Sequence, residues 1–594
     1  MKKKFLLPLS LPLLCITTML QAQTPFTPLD TNYTTTTVII PPSPLFYDVL
    51  FIGNTDYVHV NGGADSALAK QNHDFIGLVP IGTGRKQNWV IVNHEITNTK
   101  NTKLGDGGGQ TAFRVKKNNS GHWEVKPTIW NKKFANVDFT ALGGTNTNCG
   151  GIVTPYGTTL TAEEFPVSSN ASLYASGTGY SDTSNYTIPP GNGIYSGEVL
   201  KRWEQMGWMT EVNPSSATAI KKYYSMGRFS HEGGWAMQDG KTVYLTDDFT
   251  PGLLFKFVAS ETNDYTEGQL YAYKQGAAGI GGSWITLPMA FDSLLIIRDV
   301  AFRMGATGFT RLEWAWADYY EDKLFFTETG ADAADYKIAM KAGSNPAYQI
   351  QRLDTIYGTV ADSVLTDYYG RVWQLDLNTL DCSPLVEGGA GSDGKHFSNP
   401  DGLAYVRYKN GLEYLFINED LNGFSQGRNP AYITSSSNLI NEVYCLDLKI
   451  TNPTVDDLER FVIGPKGSET TGPTFSKDGN TYFVNIQHPG STNTFPFNNS
   501  TTIAITGMRD YLAALPTRKA EIETAMSADV FSIYPNPATR ELHLNKTTDI
   551  AVYNNSGELL FTERNVNVIN VSELASGVYF VQTINGEVQK LIVE

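Results

Sequence analysis

Six times along the chain an apolar, β-branched run ends in carboxylates or other ligand-type polar residues: WVIVNHE at Glu95, TTLTAEE at Glu164, VYLTDDF around Asp248, LFFTETG at Glu328, YLFINED at Asp420 and YFVNIQH at His488. Runs of this length, set between clusters of Gly, Asn, Asp and Pro, read as β-strands. Several are followed by a second kind of strand, seen in LLFKFV (Leu253 to Val258), RVWQLDL (Arg371 to Leu377) and EVYCLDL (Glu442 to Leu448). Two strand types alternating at wide intervals predict six sheet units, each aiming one strand end at a shared axis where acidic residues can converge on cations. The predicted fold class is all-β, a six-bladed β-propeller with inserted loops and helices. A two-sheet sandwich does not need so many units.

Helical periodicity is confined to insertions, chiefly Glu198 to Met209 and Ala331 to Ala342, and the aromatic and Met residues Trp203, Met206 and Trp208 read as packing against sheets. Segments rich in Tyr, Asn, Thr and Gly, from Tyr180 to Tyr195 and from Ser344 to Tyr369, read as long loops on one face. Past Asp510 a helical stretch, roughly Tyr511 to Ala525, leads to a compositionally different tail. There FSIYPNP (Phe531 to Pro537), IAVYNNSGELL, LASGVYFVQT and KLIVE predict a small C-terminal β-sandwich with an NSG turn. In its YPNP, SGE turn, GVYF strand and closing KLIV run, this tail resembles the C-terminal sorting domain of the Bacteroidetes type IX secretion system. The resemblance implies engagement of the type IX machinery, export across the outer membrane, removal of the tail, and attachment to the surface or release.

The charge balance narrows the partners. With 45 basic and 60 acidic residues, 45 − 60 = −15, and no long basic run, the chain is a poor match for nucleic acid or an anionic membrane. Excess carboxylate suits divalent or trivalent cations, though most individual Asp and Glu residues are expected only to keep an exported protein soluble. Lys2, Lys3 and Lys4 before the apolar stretch Phe5 to Leu20, with Ala22 as cleavage point, read as a secretory signal peptide. Pro8 and Pro12 argue against a retained transmembrane anchor. The expected organisation is a signal peptide at 1–22, a propeller body at 23–515, a linker at 516–529 and a sorting domain at 530–594, with a monomer as the expected state. Cys149, Cys382 and Cys445 are too sparse for a disulfide scaffold. Cys382 and Cys445 read as small buried hydrophobes in strands.

Four segments carry chemistry. In GGTNTNCGGIVTPYGTTLTAEE, Gly143 to Glu164, glycines beside Cys149 permit close backbone approach, and Glu163 and Glu164 emerge from the next strand. A thiolate among carboxylates suits a transition metal rather than calcium alone, although a buried structural Cys fits the spacing equally well. HEGG, with His231 and Glu232, precedes Asp247 and Asp248 at the next strand end. RLEW places Arg311 and Glu313 at alternate positions, hence on one strand face; a plain salt bridge satisfies this, as does Glu on a metal beside Arg on a phosphate. GSETTGPTFSKDGNTYFVNIQHPG holds Glu469 and His488, and NPDG and NED add acidic turns at Asp401 and Asp420. GAGSDGKH, Gly389 to His396, mimics a P-loop but ends in His and precedes no helix. His94, His231 and His488 lie beside candidate ligands and can serve to position them.

From Asn93 to Gly490 these segments, in order, resemble the PhoX family of alkaline phosphatases: NHE, NCGG with TPYGTTLTAEE, HEG with DD, RLE, NPDG, and GPKGSETTGPTF through NIQHPG. Tyr156 stands where the family usually has Trp and Ala162 where it often has Cys. The resemblance implies a six-bladed propeller whose active site holds Fe(III) and Ca2+ ions around a bridging oxo group. It implies Cys149, Glu164, Glu232, Asp248, Glu313 and Glu469 as metal ligands, with Glu95 and Asp401 as further ones, and Arg311 as the residue holding the substrate phosphate. Small phosphate monoesters are the expected substrates. Phosphodiester or phytate hydrolysis on the same fold, or a non-catalytic calcium-stabilised surface binding propeller, are the competing expectations.

Overall fold

In a computed structural model, residues 24–593 are described except 83–85, 98, 128, 174–182, 319–321, 331–337, 340–363, 366–368, 393–394, 409–410, 422–438, 515–530, 556 and 586. The expected signal peptide and linker, and most of the Ser344 to Tyr369 loop, lie outside the described residues. Of the expected helix Ala331 to Ala342 only Ile338–Ala339 is described, and it pairs as a short strand with Val364–Leu365.

Six large sheets follow one another along the body. Their first strands are His73–Pro80, Asn148–Val153, His231–Ala236, Leu312–Asp318, Pro400–Arg407 and Glu469–Phe475. Their second strands are Gln87–His94, Thr159–Glu163, Thr242–Asp247, Lys323–Glu328, Glu413–Glu419 and Thr481–Gln487. The acid-ended runs of the sequence are thus the second strand of every sheet. Leu254–Glu261, Arg371–Asp376 and Glu442–Asp447, the other expected strand type, are third strands. Each first strand packs beside the first strand of the next sheet, and the sixth packs beside the first.

Both faces of the second strands are covered, which is why they read as continuous apolar runs. Successive side chains point to opposite faces. In Glu413–Glu419, Tyr414 and Phe416 enter the core shared with the sixth sheet, and Leu415 and Ile417 the core shared with the fourth. In Gln87–His94, Val90 and Val92 face the sixth sheet while Ile91 faces the second. Every sheet-to-sheet boundary has such a core, including that between sixth and first. The N-terminal strand Phe46–Ile52 completes the sixth sheet by pairing with Thr501–Thr506, joining the two ends of the body.

The expected helix Glu198 to Met209 is corrected: the segment holds a short strand at Val199–Leu200, one 3-10 turn at Arg202–Gln205 and the start of a strand at Met209. Gly207 adopts φ 93°, which ends any helix, and the Gly207 and Trp208 amides donate to the Glu163 carboxylate at 3.0 and 3.1 Å. The helix expected from Tyr511 lies at Met508–Ala514 as far as it is described. The tail forms one hydrogen-bonded sheet of five strands around its own core of Phe531, Leu542, Val552, Val581 and Leu591. Its longest strand, Glu541–Asn554, carries three register shifts against Leu559–Asn570. A second sheet is not among those of the described residues. No helix among them is long and apolar enough to cross a membrane.

Candidate metal centre

The first strand of every sheet is bulged against its second strand at the same place. Two residues of the first strand oppose one of the second, a device that bends a strand and re-aims a side chain. In five sheets the first bulged residue is a potential ligand: Asp74, Cys149, Glu232, Glu313 and Asp401; in the sixth it is Gly472, with Glu469 at the strand start. From the second-strand ends Glu95, Glu164, Asp248, Asp420 and His488 join them. Glycine is required where neighbouring strands meet, since a Cβ on Gly150 would lie 2.1 Å from the Glu232 carbonyl oxygen.

The residues opposite four of the bulges, Asn93, Thr246, Thr327 and Asn418, brace the next sheet, and in the sixth sheet Asn485, one place past the residue opposite the bulge, does so. Asn93 Nδ2 donates to the carbonyls of Cys149 and Gly150, each at 2.7 Å. Thr246 Oγ1 donates to the Glu313 carbonyl, Thr327 Oγ1 to that of Asp401 at 2.8 Å, and Asn418 Nδ2 to that of Thr470 at 2.9 Å. Asn485 Nδ2 closes the series on the Asp74 carbonyl. In the second sheet this place is Ala162, which has no donor to offer.

Acidic doublets at the strand ends divide the work. Glu163, Asp247 and Glu419 hold their own sheets: Glu163 accepts from Lys222 Nζ at 2.8 Å, Asp247 from the Ser230 amide at 3.2 Å, and Glu419 from the Ser398 and Glu442 amides at 3.0 and 3.1 Å. The following residues, Glu164, Asp248 and Asp420, face the centre. Glu328 behaves like the first member of a doublet, accepting from the Thr310 amide, Arg371 Nη1 and Trp373 Nε1 at 2.8, 2.7 and 2.9 Å. It stands away from the centre. His94 bonds Thr111 at 2.8 Å and His231 the Gly227 carbonyl at 2.9 Å, so both build sheets. His488 sits 3.4 Å from Glu95.

Cys149 Sγ lies 2.6 Å from Asp74 Oδ2 and 2.9 Å from Glu232 Oε1, with one S–H to share between them. Donor atoms of Asp74, Cys149 and Glu232, of Glu95, Cys149 and Glu164, and of Glu164, Glu232 and Asp248 form three groups, each within 4.8 Å. Arg311 is the guanidinium among them: Nε donates to Asp248 Oδ1 at 3.1 Å, and Nη2 lies 2.5 Å from Glu313 Oε1 and 3.5 Å from Asp420 Oδ2. Arg311 precedes its strand with φ 57°, a strained region for a side-chain-bearing residue. It meets Glu313 through that turn and the bulge rather than through strand alternation.

Nine carboxylates and a thiol therefore surround one guanidinium: Asp74, Glu95, Glu164, Glu232, Asp248, Glu313, Asp401, Asp420 and Glu469 with Cys149 and Arg311. Two carboxylates within 4.8 Å repel by roughly 3–4 kcal/mol at an effective dielectric of about 20, so one Arg cannot balance the set. Burial, reinforced by neighbouring carboxylates, holds Glu164, Glu232, Asp401 and Glu469 well above the usual carboxylate range and pushes Asp74 up to about 7. Burial and the same carboxylates push the Cys149 thiol up as well. Oxygens of Glu164, Glu232 and Asp401 are buried with no hydrogen-bond partner. Cations fit this arrangement: they satisfy the orphaned oxygens and reverse the electrostatics. The groups with Cys149 offer soft sulfur beside oxygen, and the group of Glu164, Glu232 and Asp248 offers oxygen alone.

Asp74 is the residue that motif reading missed. Its signal was the bulge itself, since HDFI, NCGG, HEGG, LEWA, PDGL and TGPT occupy equivalent places in six sheets.

An all-β body that gathers buried acids and a thiol at its strand ends, around one Arg, defines a metal-dependent class of protein. Residues 48–490 match the family alkaline phosphatase PhoX, and the chain belongs to that family of phosphatases. Residues 532–594 match the secretion system C-terminal sorting domain, which places the protein at the cell surface or beyond by type IX secretion. Among solved structures, Pseudomonas fluorescens PhoX in complex with vanadate, a transition state analogue, is similar at 22% identity and TM-score 0.56, over 81% of this chain and 97% of that one. A protein of unknown function from Dyadobacter fermentans aligns over 76% and 97% of the two chains at 8% identity, with a TM-score of 0.35. No curated protein matches the chain.

Proposed function

We propose that the protein is an exported phosphatase hydrolysing phosphate monoesters at a centre of iron(III) and calcium, on a six-bladed β-propeller spanning 23–515 followed by a β-sandwich sorting domain at 530–594. The cyclic packing of six sheets, each with its own boundary core, supports the propeller. The observation that carries the reading is the convergence of ligand-type side chains from all six sheets on Arg311. Asp74, Cys149, Glu232, Glu95 and Glu164 would hold iron. Glu164, Asp248, Glu313, Asp401, Asp420 and Glu469 would hold calcium. Bound cations supply Lewis acidity and a water of lowered pKa.

The protein's own part is positioning and charge. Arg311, held among Asp248, Glu313 and Asp420, presents its guanidinium charge to the phosphoryl oxygens, an electrostatic contribution typically worth about a hundredfold to a thousandfold in rate. The bulges and their bracing hydrogen bonds fix the ligands before substrate arrives. With the nucleophile supplied at the metals, no activated Ser is required.

The test is elemental analysis of the mature protein with an assay of a chromogenic phosphate monoester, before and after calcium chelation. Iron, calcium and chelator-sensitive turnover are expected. Calcium without iron, in a protein inert on mono- and diesters, would overturn the proposal. Cys149→Ser is expected to lose iron and activity while keeping the far-ultraviolet spectrum; persisting activity would remove the thiolate from the centre.

A further inference from the structure

One edge of the centre is not carboxylate. Phe165 directly follows Glu164 and Phe249 directly follows Asp248, and donor atoms of Glu164 and Asp248 lie within 4.8 Å of each other. Both rings stand in solvent, 45% and 42% exposed, while most large apolar side chains of the body are buried. The Phe249 carbonyl accepts from the Arg311 amide at 3.0 Å, so the backbone that carries this ring is tied to the residue that carries the guanidinium beside the acids. Over the Phe249 ring lies a second guanidinium, Arg298 of the helix Ile297–Arg303, with Cζ 3.5 Å from the ring centroid. Its Nη1 is 4.0 Å from Asp247 Oδ1 and makes no hydrogen bond.

Stacking on the ring fixes the plane of the Arg298 guanidinium without using its N–H groups. A planar donor held in this way, on the exposed Phe249 ring and one residue from the acid cluster, suits a ligand with a carbon skeleton and a negative charge. A water or neutral hydroxyl gains less from it, because hydrogen bonds between ionised partners are about twice as strong as neutral ones.

We propose that this edge is the leaving-group subsite: Phe165 and Phe249 take the carbon skeleton of the ester, and Arg298 takes a second anionic group on it. The enzyme then prefers phosphate esters whose alcohol also carries a carboxylate or another phosphate. This selectivity rests on the phosphatase reading above. Nη1 itself is buried beside Asp247, but the Arg298 side chain as a whole keeps 24% of its surface exposed, which leaves it within reach of the substrate.

The experiment compares kcat/KM for matched esters on the full protein: 3-phosphoglycerate against glycerol 3-phosphate for a carboxylate, and fructose 1,6-bisphosphate against fructose 6-phosphate for a phosphate. At least one anionic member is expected to be favoured about tenfold, about 1.4 kcal/mol, and the pair that shows it identifies the anion. Arg298→Gln is expected to remove that preference, chiefly through KM, and Arg298→Lys to keep part of it. On the unmutated protein, free glycerate is expected to inhibit more strongly than glycerol. A ratio near one in both pairs, or a ratio that Arg298→Gln leaves unchanged, overturns the subsite. Equal inhibition by glycerate and glycerol also overturns it, and this arm needs no variant to fold. Failure to hydrolyse any of the four esters strikes the phosphatase reading itself, and the subsite falls with it.

Discussion

Arg311 and Glu328 show how far a residue's neighbours decide its work. Both belong to the fourth sheet and both are charged and nearly buried. Arg311 sits among Asp248, Glu313 and Asp420, whereas Glu328 is satisfied by Arg371, Trp373 and a backbone amide. Arg311→Lys replaces a planar fork with a point charge, and kcat/KM is expected to fall about a hundredfold or more with metal content retained. Metal loss in that variant would show Arg311 to be structural. Glu328→Gln is expected to cost about 3–5 kcal/mol of stability by removing the buried carboxylate charge that Arg371 Nη1 and Trp373 Nε1 bond, measured by denaturant unfolding, while folded protein keeps its metals. Cys149, Glu232, Arg311 and Glu313 were legible as motifs because Gly or Arg beside an acid is distinctive. Asp74 was not, because HDFI looks like the opening of an ordinary strand.

At the scale of elements, the unit is a bulged first strand braced by the second strand of the preceding sheet. Thr246 and Thr327 look like routine strand residues, yet each donates to the carbonyl of a candidate ligand in the next sheet. Thr246→Val keeps shape and removes that bond; it is expected to cost about 1–3 kcal/mol and to weaken cation retention about tenfold to a hundredfold. Competition against a graded series of chelators measures this, and unchanged retention would show that the bulge alone aims Glu313. The strands themselves were readable from apolar runs. Which face of each run served which neighbour was not, because both faces are buried and the period-two signal is erased.

For the whole molecule, burial and charge are linked. The carboxyls with raised folded-state pKa stabilise the fold fully below their unfolded value near 4, and lose that contribution as pH rises through the folded value. For Asp74 and Asp247 that value is about 7, raised chiefly by burial. His73 and His231, held neutral by burial down to about 3, act oppositely and only below their ordinary 6.5. Between pH 6.5 and 9 the carboxyls therefore dominate, and chelated protein is expected to melt several degrees lower at pH 9 than at 6.5, with calcium and iron restoring it. A chelated melting temperature independent of pH in that window would rule this out. The sixth sheet depends on Phe46–Ile52, whose removal leaves Thr501–Thr506 with an unpaired edge.

The sequence by itself determined that the chain is all-β, that six runs end in ligand-type residues, and that the tail is a separate unit, because strand periodicity, turn residues and composition are local properties. It also determined the family, through motifs that keep their order over most of the body. Only the tertiary structure decided which acid of each doublet faces the centre, that Asp74 belongs there and Glu328 does not, and that Arg298 covers Phe249. Those outcomes depend on bulge register and on contacts between sheets far apart in sequence, and no local pattern encodes which neighbour a buried face will meet.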